Sequence, residues 1–312
     1  MDTFGLKSFV ELTHRGVLAV SGADARGFLQ GLISNDINKV GPDRAIYAAF
    51  LTPQGKYLHD FFIAQIGDRL MIDCEGARLD DLVRRLGFFR LRAEVSLEDA
   101  SERFTVLALL GDGAHDSESL RGHEGRGGPF AGGVCFVDPR YAGMGARALL
   151  PRDGGVEALE AAAFTRGAAE DYERARLSYG LPDGSRDLKI EKSLLLENGF
   201  EELNGLDWDK GCYVGQELTA RTRYRGLVRR RLLPVTVEGP LPESGTPIML
   251  GESAAGEMRS GLDRMGLAML RLETVEKAEK EGTLLTAKGA KLTPHRPAWM
   301  VLNGEKDSEP SP

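Results

Sequence analysis

The sequence has 312 residues, 42% apolar and 28% charged, and carries a formal net charge of −7. This is ordinary globular composition, long enough for two or three compact units, and it excludes a fibrous repeat or a chain disordered throughout. An acidic whole argues against broad binding to nucleic acid or an anionic membrane surface, and no run approaches the roughly 20 apolar residues of a membrane span.

From the N-terminus, MDTFGLKSFVELTHRG has neither signal-peptide nor transit-peptide character, which predicts a cytoplasmic protein. RGVLAVSG (15–22) reads as a strand, ADARGFLQGL (23–32) as a helix with Phe28, Leu29 and Leu32 on one face, and AIYAAFL (45–51) as a second strand. Pro53, Gln54 and Gly55 supply turn chemistry before KYLHDFFIAQI (56–66), so a hairpin is expected. RLMIDC continues as strand, and residues 77–89 place Leu79, Leu82, Val83 and Leu86 at helical spacing. Further strands are expected at 104–110 and 133–137, separated by a Gly-, His- and Asp-rich surface loop over 111–133 in which His115 and His123 read as solvated. Residues 156–181 are helical by propensity and end at Pro182 and Gly184.

After Arg231 the texture changes to short β-like pieces punctuated by Gly and Pro. The expected organisation is a region of two interleaved α+β units over 1–230, a small β-barrel over 231–302 and a disordered tail over 303–312.

The chemistry gathers in KGCYVGQE (210–217). The three cysteines, Cys74, Cys135 and Cys212, are too far apart for a metal-ligand spacing or a disulfide framework, so no self-contained cluster site is indicated. Cys212 precedes a helix expected over 213–223, and with Lys210 two residues before it the surroundings favour thiolate. On local grounds alone, a small buried Cys212 beside glycines that only shape a turn is the leading reading. Gly211 and Gly215 let backbone approach closely, while Gln216 and Glu217 offer directional polar contacts. Lys210 and the arginines at 221, 223, 225, 229, 230 and 231 make seven cations in 22 positions, with Glu217 as the one acid. They form either a solvated, acid-paired face or a rim for a polyanion such as a poly-glutamate tail.

With these residues in view, the chain resembles the YgfZ branch of the YgfZ/GcvT family. The resemblance rests on KGCYVGQE with Ala220-Arg221 and Tyr224-Arg225-Gly226 after it, on GADARGFLQGLISNDI (22–37) with its Asn35-Asp36 pair, and on LTPQGKYLHD (51–60). It implies an α+β fold of two units around a central cavity that accepts tetrahydrofolate, and a role in assembly or repair of iron–sulfur enzymes together with client proteins or assembly factors. Carried over by position, Cys212 is the functional thiol, framed by Lys210, Gly211, Tyr213, Gly215, Gln216, Glu217 and Arg221. Asn35, Asp36, Gln54 and Asp60 are candidates to line the folate cavity, and Trp208 to pack on a pterin or in the core. The sister aminomethyltransferases carry two adjacent acids where this chain has His59-Asp60, which weakens the alternative of aminomethyl transfer; a non-catalytic folate-binding scaffold is the third reading. In a strand only one of His59 and Asp60 faces the cavity.

Overall fold

The computed structural model describes residues 7–111, 123–226 and 228–301. The tail expected over 303–312, and His115 in the expected loop, lie outside them.

The first unit is a five-stranded antiparallel sheet in the order Ile46–Leu51, Tyr57–Ile66, Arg69–Glu75, Arg15–Ser21, Ser96–Asp99. One face is covered by helices α1 (Ala25–Gln30) and α2 (Leu79–Arg90), which bury Leu29, Leu82 and Leu86 against Leu18, Phe61, Ile63 and Ile72. The other face packs on a six-stranded sheet, ordered Thr165–Arg166, Ser8–Glu11, Phe104–Leu110, Ala146–Pro151, Gly133–Val137, Gly127–Phe130. Ala19, Tyr47 and Phe62 meet Val10, Val106 and Leu149 in that shared core. A sheet covered on both faces explains why Ile46–Leu51 is apolar at almost every position, without the alternation of a half-exposed strand.

The region 156–181 is not one helix. The α-helix α3 (Gly155–Ala161) covers the outer face of the second sheet, with Leu159 in its core. Thr165 and Gly167 then donate backbone bonds to Lys7 and Phe9, adding a short parallel edge strand before α4 (Ala169–Tyr179). Pairing with Ser8–Glu11 satisfies more backbone than helix propensity would at this break. A single-turn α5 (Gly184–Asp187) and α6 (Gln216–Tyr224) follow.

Six strands from Arg230–Glu238 to Ala290–Pro294 form a closed barrel, with α7 (Leu272–Glu281) crossing between its fourth and fifth strands in chain order. Closure leaves no unpaired sheet edge. Its interior is apolar, with Val235, Ile248, Met258, Leu270 and Leu292 buried.

Between the two sheets lies a buried charged layer. Arg15 Nε donates to Asp73 Oδ1 at 2.6 Å, Arg147 Nη1 donates to Asp73 Oδ2 at 2.6 Å, and Arg140 Nη2 donates to Asp138 Oδ2 at 2.8 Å. The Arg147 guanidinium also lies 3.9 Å from the centre of the Phe62 ring. Buried ions of this kind persist only when each keeps partners.

Candidate functional site

The segment 210–217 lies in a bed made by the other two blocks that mark the sequence. Lys210 is buried and sends its ammonium to the carbonyl oxygens of Gln30 and Ile33, each at 2.6 Å, at the C-terminal end of α1. Helix-end carbonyls lack partners within the helix and attract cations. Gln30 Nε2 donates back to the Lys210 carbonyl at 3.0 Å, and the Val214 N–H donates to Gly31 O at 3.1 Å. The Lys210 ammonium also stands 4.9 Å from the Tyr213 ring centre. Burial pushes Lys210 down to about 8 against the opposing pull of Asp36 and Asp207.

The LTPQGKYLHD turn closes the bed from below. Gly215 has φ 85°, and Gly55, on that turn, has φ 70°. A β-carbon on Gly215 would meet Leu51 Cβ at 2.9 Å, so glycine is required by space as well as by conformation. Gly211 has φ 86° but open space around it, so only its conformation calls for glycine. Tyr213 is buried, Val214 is half-buried against the α1/α2 core, and Cys212 between these anchors and Gly211 is exposed. Cys74 is buried and Cys135 half-buried.

Two expectations about Cys212 are corrected. Helix α6 starts at Gln216 with left-handed Gly215 as its N-cap, not at Tyr213, so Cys212 stands outside the first turn and its amide field. The Lys210 ammonium is engaged at α1 and is not a counter-charge held for the thiol. Cys212 is therefore an exposed thiol on a firmly anchored loop, and the buried alternative does not hold.

The arginine-rich stretch is largely acid-paired. Arg221 pairs with Glu217 at 3.3 Å, Arg223 with Glu201 at 3.1 Å, Arg230 with Glu197 at 3.2 Å and Arg231 with Glu202 at 2.7 Å. Arg225 and Arg229 are exposed and make no ion pair among the described residues. Arg223 also stacks on Trp208, 4.3 Å from the ring centre, and the half-buried Trp208 packs against the core between the sheets. Gln216 opens α6, half-buried.

The N-terminal candidates are spread over several surroundings. Asn35 is buried, with its amide donating to Tyr47 O at 2.8 Å and Asn204 O at 2.7 Å while its oxygen accepts from the Asp36 N–H. It lines a small hollow of about 160 Å³ with Tyr47, Arg44 and Asn204, which Asp36, Gln54, Asp60 and Trp208 do not line. Asp36 caps a short 3-10 turn through the Asn38 N–H. Gln54 is exposed on its turn. Asp60 is buried, accepting from the Tyr47 hydroxyl at 2.9 Å and the Tyr57 hydroxyl at 2.7 Å, and burial raises its pKa despite nearby Arg15. His59 points to the opposite face, where Nε2 lies 3.0 Å from Asp81 Oδ2 on α2; burial, aided by Arg78, pushes it down to about 4. It is neutral near pH 7 and turned away from the intersheet side.

Sequence reading missed Gln30, Ser34 and Lys39. Ser34 Oγ donates to Gly205 O at 2.6 Å and accepts from the Ala49 N–H at 2.8 Å, and Lys39 pairs with Asp207 at 2.6 Å. For Gln30 and Ser34 a signal was present, as polar residues interrupting the apolar run GFLQGLISNDI; Lys39, just beyond it, gave none. Among the described residues no three His, Cys, Asp or Glu side chains are grouped to hold a metal ion.

The GCVT N-terminal domain matches residues 7–117, and the CAF17 C-terminal beta-barrel domain matches residues 229–302. The mouse mitochondrial iron–sulfur cluster assembly factor IBA57 is 35% identical, covering 85% of this chain and 78% of its own. The chain belongs to the IBA57 family of iron–sulfur cluster assembly factors. Human IBA57 is 34% identical with the same coverage, and the IBA57 homologue of Mycosarcoma maydis is 33% identical over 86% of this chain and 74% of its own. The glycine cleavage system aminomethyltransferase T from Bartonella henselae superposes with a TM-score of 0.75, covering 96% of this chain and 87% of that one, at 14% identity. That likeness establishes a GcvT-like α+β fold, here with the closed six-stranded barrel. The expectation of a cytoplasmic protein is overturned, because these IBA57 relatives are named mitochondrial, which points to mitochondria. The physical reason is that compartment leaves no mark on a folded body of ordinary composition, so reading a short N-terminal stretch was a poor guide.

Proposed function

We propose that the protein serves the assembly or repair of iron–sulfur enzymes through Cys212, as a thiol that meets a cluster held jointly with a partner. The observation that carries this reading is the exposure of Cys212 on a loop pinned at Lys210 and Gly215. An anchored, exposed thiol can enter an iron coordination sphere: its S–H bond breaks and the proton passes to solvent as the Fe–S bond forms and the ligand it replaces leaves the iron. One cysteine supplies one ligand, and no metal-ligand group stands elsewhere among the described residues, so other thiols must come from the partner. Replacing Cys212 with Ala in cells lacking this protein should abolish activity of client iron–sulfur enzymes at unchanged protein abundance. Full complementation overturns the reading.

Tetrahydrofolate is the second component, suggested by the likeness of fold to an aminomethyltransferase. The residues nominated for it do not fit as a pterin-binding edge: the polar groups of Asn35 and Asp60 are taken by the protein, and Gln54 is on an outer turn. Trp208 is different, because its buried indole N–H has no hydrogen-bond partner among the described residues. Saturable quenching of tryptophan fluorescence by tetrahydrofolate, lost in Trp208→Phe, would establish binding, and an unchanged spectrum removes folate from the reading. Formation of methylene-tetrahydrofolate from an aminomethyl-loaded lipoyl carrier would instead revive aminomethyl transfer, for which His59, buried and turned toward Asp81 on α2, gives no support.

A further inference from the structure

The end of α2 carries an apolar surface that the fold leaves mostly uncovered. Phe88 is 67% exposed and Leu91 88%, with Phe89 beside them at 39%. Leu91 also holds φ 44° and ψ −107°, a conformation that a residue with a β-carbon rarely adopts and that aims an unburied leucine outward. Isolated exposed leucines need no explanation, but a strained one adjoining two exposed phenylalanines does. The flanking Arg90 and Arg92 are exposed and make no ion pair among the described residues, so the tip is positive on a chain of net charge −7.

This tip and the Cys212 loop share one foundation. The Phe89 ring meets the buried Phe50 ring edge-on at 6.0 Å. Phe50 bridges to Ile33, whose carbonyl holds the Lys210 ammonium. Val214, two residues after Cys212, rests on the same apolar cluster as Val83 of α2.

We propose that the α2 tip is the docking surface for the thiol-bearing cluster carrier that meets Cys212: an acidic protein with an apolar recess, which seats Phe88 and Leu91 and faces Arg90 and Arg92. The proposal rests on the reading of Cys212 given above. Apolar side chains supply the affinity and the arginines the orientation and salt dependence. A carrier protein is favoured over a lipid surface because Cys212 supplies one ligand and no metal-ligand group stands among the described residues, so the thiols that complete a cluster come from a protein.

The test uses the full chain and, as probe, a purified acidic [2Fe–2S] carrier protein from the same organism, with binding followed by calorimetry and the cluster by visible circular dichroism. Phe88→Ser with Leu91→Gly should weaken binding by about tenfold or more. Glycine accepts the backbone of residue 91 without strain, so the double variant should melt no lower than the parent. Cys212→Ser should change the cluster spectrum while binding stays within about threefold, since an exposed Sγ-to-Oγ change removes little contact area. A wild-type complex unaffected by the double substitution, with the Cys212→Ser spectral change intact, overturns the docking surface and leaves the role of Cys212 standing. No complex with the parent protein, or no spectral effect of Cys212→Ser, overturns both. Sedimentation with phosphatidylglycerol vesicles that the double variant loses, at unchanged carrier binding, assigns the tip to lipid and overturns the proposal.

Discussion

Gly55 and Gly215 face each other so closely that neither admits a side chain: a β-carbon on Gly55 would lie 2.7 Å from the Gly215 carbonyl oxygen, and one on Gly215 would lie 2.5 Å from the Thr52 carbonyl oxygen. This contact sets the height of the Cys212 loop over the Thr52–Gly55 turn. Gly215→Ala meets backbone on both counts, conformation and space, and should cost about 2 kcal/mol or more of stability. Gly211→Ala, with nothing within 4 Å, pays only for its positive φ, about 1 kcal/mol. Urea denaturation of the two variants checks the order; equal losses would show that the contact with the turn is loose.

Lys210 makes the loop sensitive to alkaline pH. Its folded value of about 8 lies below the ordinary 10.5, so between these values the unfolded chain holds a proton that the folded one has released. Stability therefore rises with pH across that window, at most about 1.4 kcal/mol per pH unit from this group. Lys210→Met removes the dependence and also strips the donors from the Gln30 and Ile33 carbonyls, a loss of about 1–3 kcal/mol. The stability gap between the parent and Lys210→Met should widen from pH 8 to 10. A gap independent of pH would mean that the ammonium is well hydrated.

Much of the first unit was legible because its strands are apolar runs ended by Gly, Pro or Asp, as at Ile46–Leu51 and Tyr57–Ile66. The strand Ser96–Asp99 was not, because SLED is a mostly exposed edge with no apolar signal and exists by pairing with Leu18–Ser21. Helix α7 and the strand Ser253–Leu262 were likewise missed in a stretch whose short apolar pieces resemble one another. The three sequence blocks 22–37, 51–60 and 210–217 pack together in the fold. The target of Lys210 was not legible, because carbonyls at a helix end become acceptors only once the chain has folded. The start of α6 was misplaced because a glycine in the left-handed conformation reads from sequence as well inside a loop as at its boundary.

The charged layer between the sheets gives a third expectation. Arg147 contacts Asp73, Asp138 at 3.5 Å, the Tyr172 hydroxyl at 3.0 Å and the Phe62 ring. Arg147→Met leaves both acids with one arginine each, Arg15 and Arg140, so the cost should be about 3 kcal/mol and not total loss of folding. Arg103→Met, which breaks an exposed pair with Glu98, should cost under about 1 kcal/mol. Thermal unfolding of both variants separates a buried partnership from a surface one, and similar shifts would mean that the layer is open to solvent.

Finally, the thiols should separate cleanly by reactivity. Burial pushes Cys74 up to about 12 and Cys135 to about 11, leaving both as thiols at neutral pH, whereas Cys212 is exposed. Titration of the native protein with a maleimide at pH 7 should give one fast site, absent in Cys212→Ser, and two more only on unfolding. The same variant should unfold within about 0.5 kcal/mol of the parent, because the side chain is exposed and the loop is held by Lys210, Val214 and Gly215 instead. Stability kept while client-enzyme activity is lost would locate the function in the thiol itself. Slow labelling of Cys212 in the native protein would mean that the loop closes over it in solution, and a cluster-bearing partner could then not reach it without a conformational change.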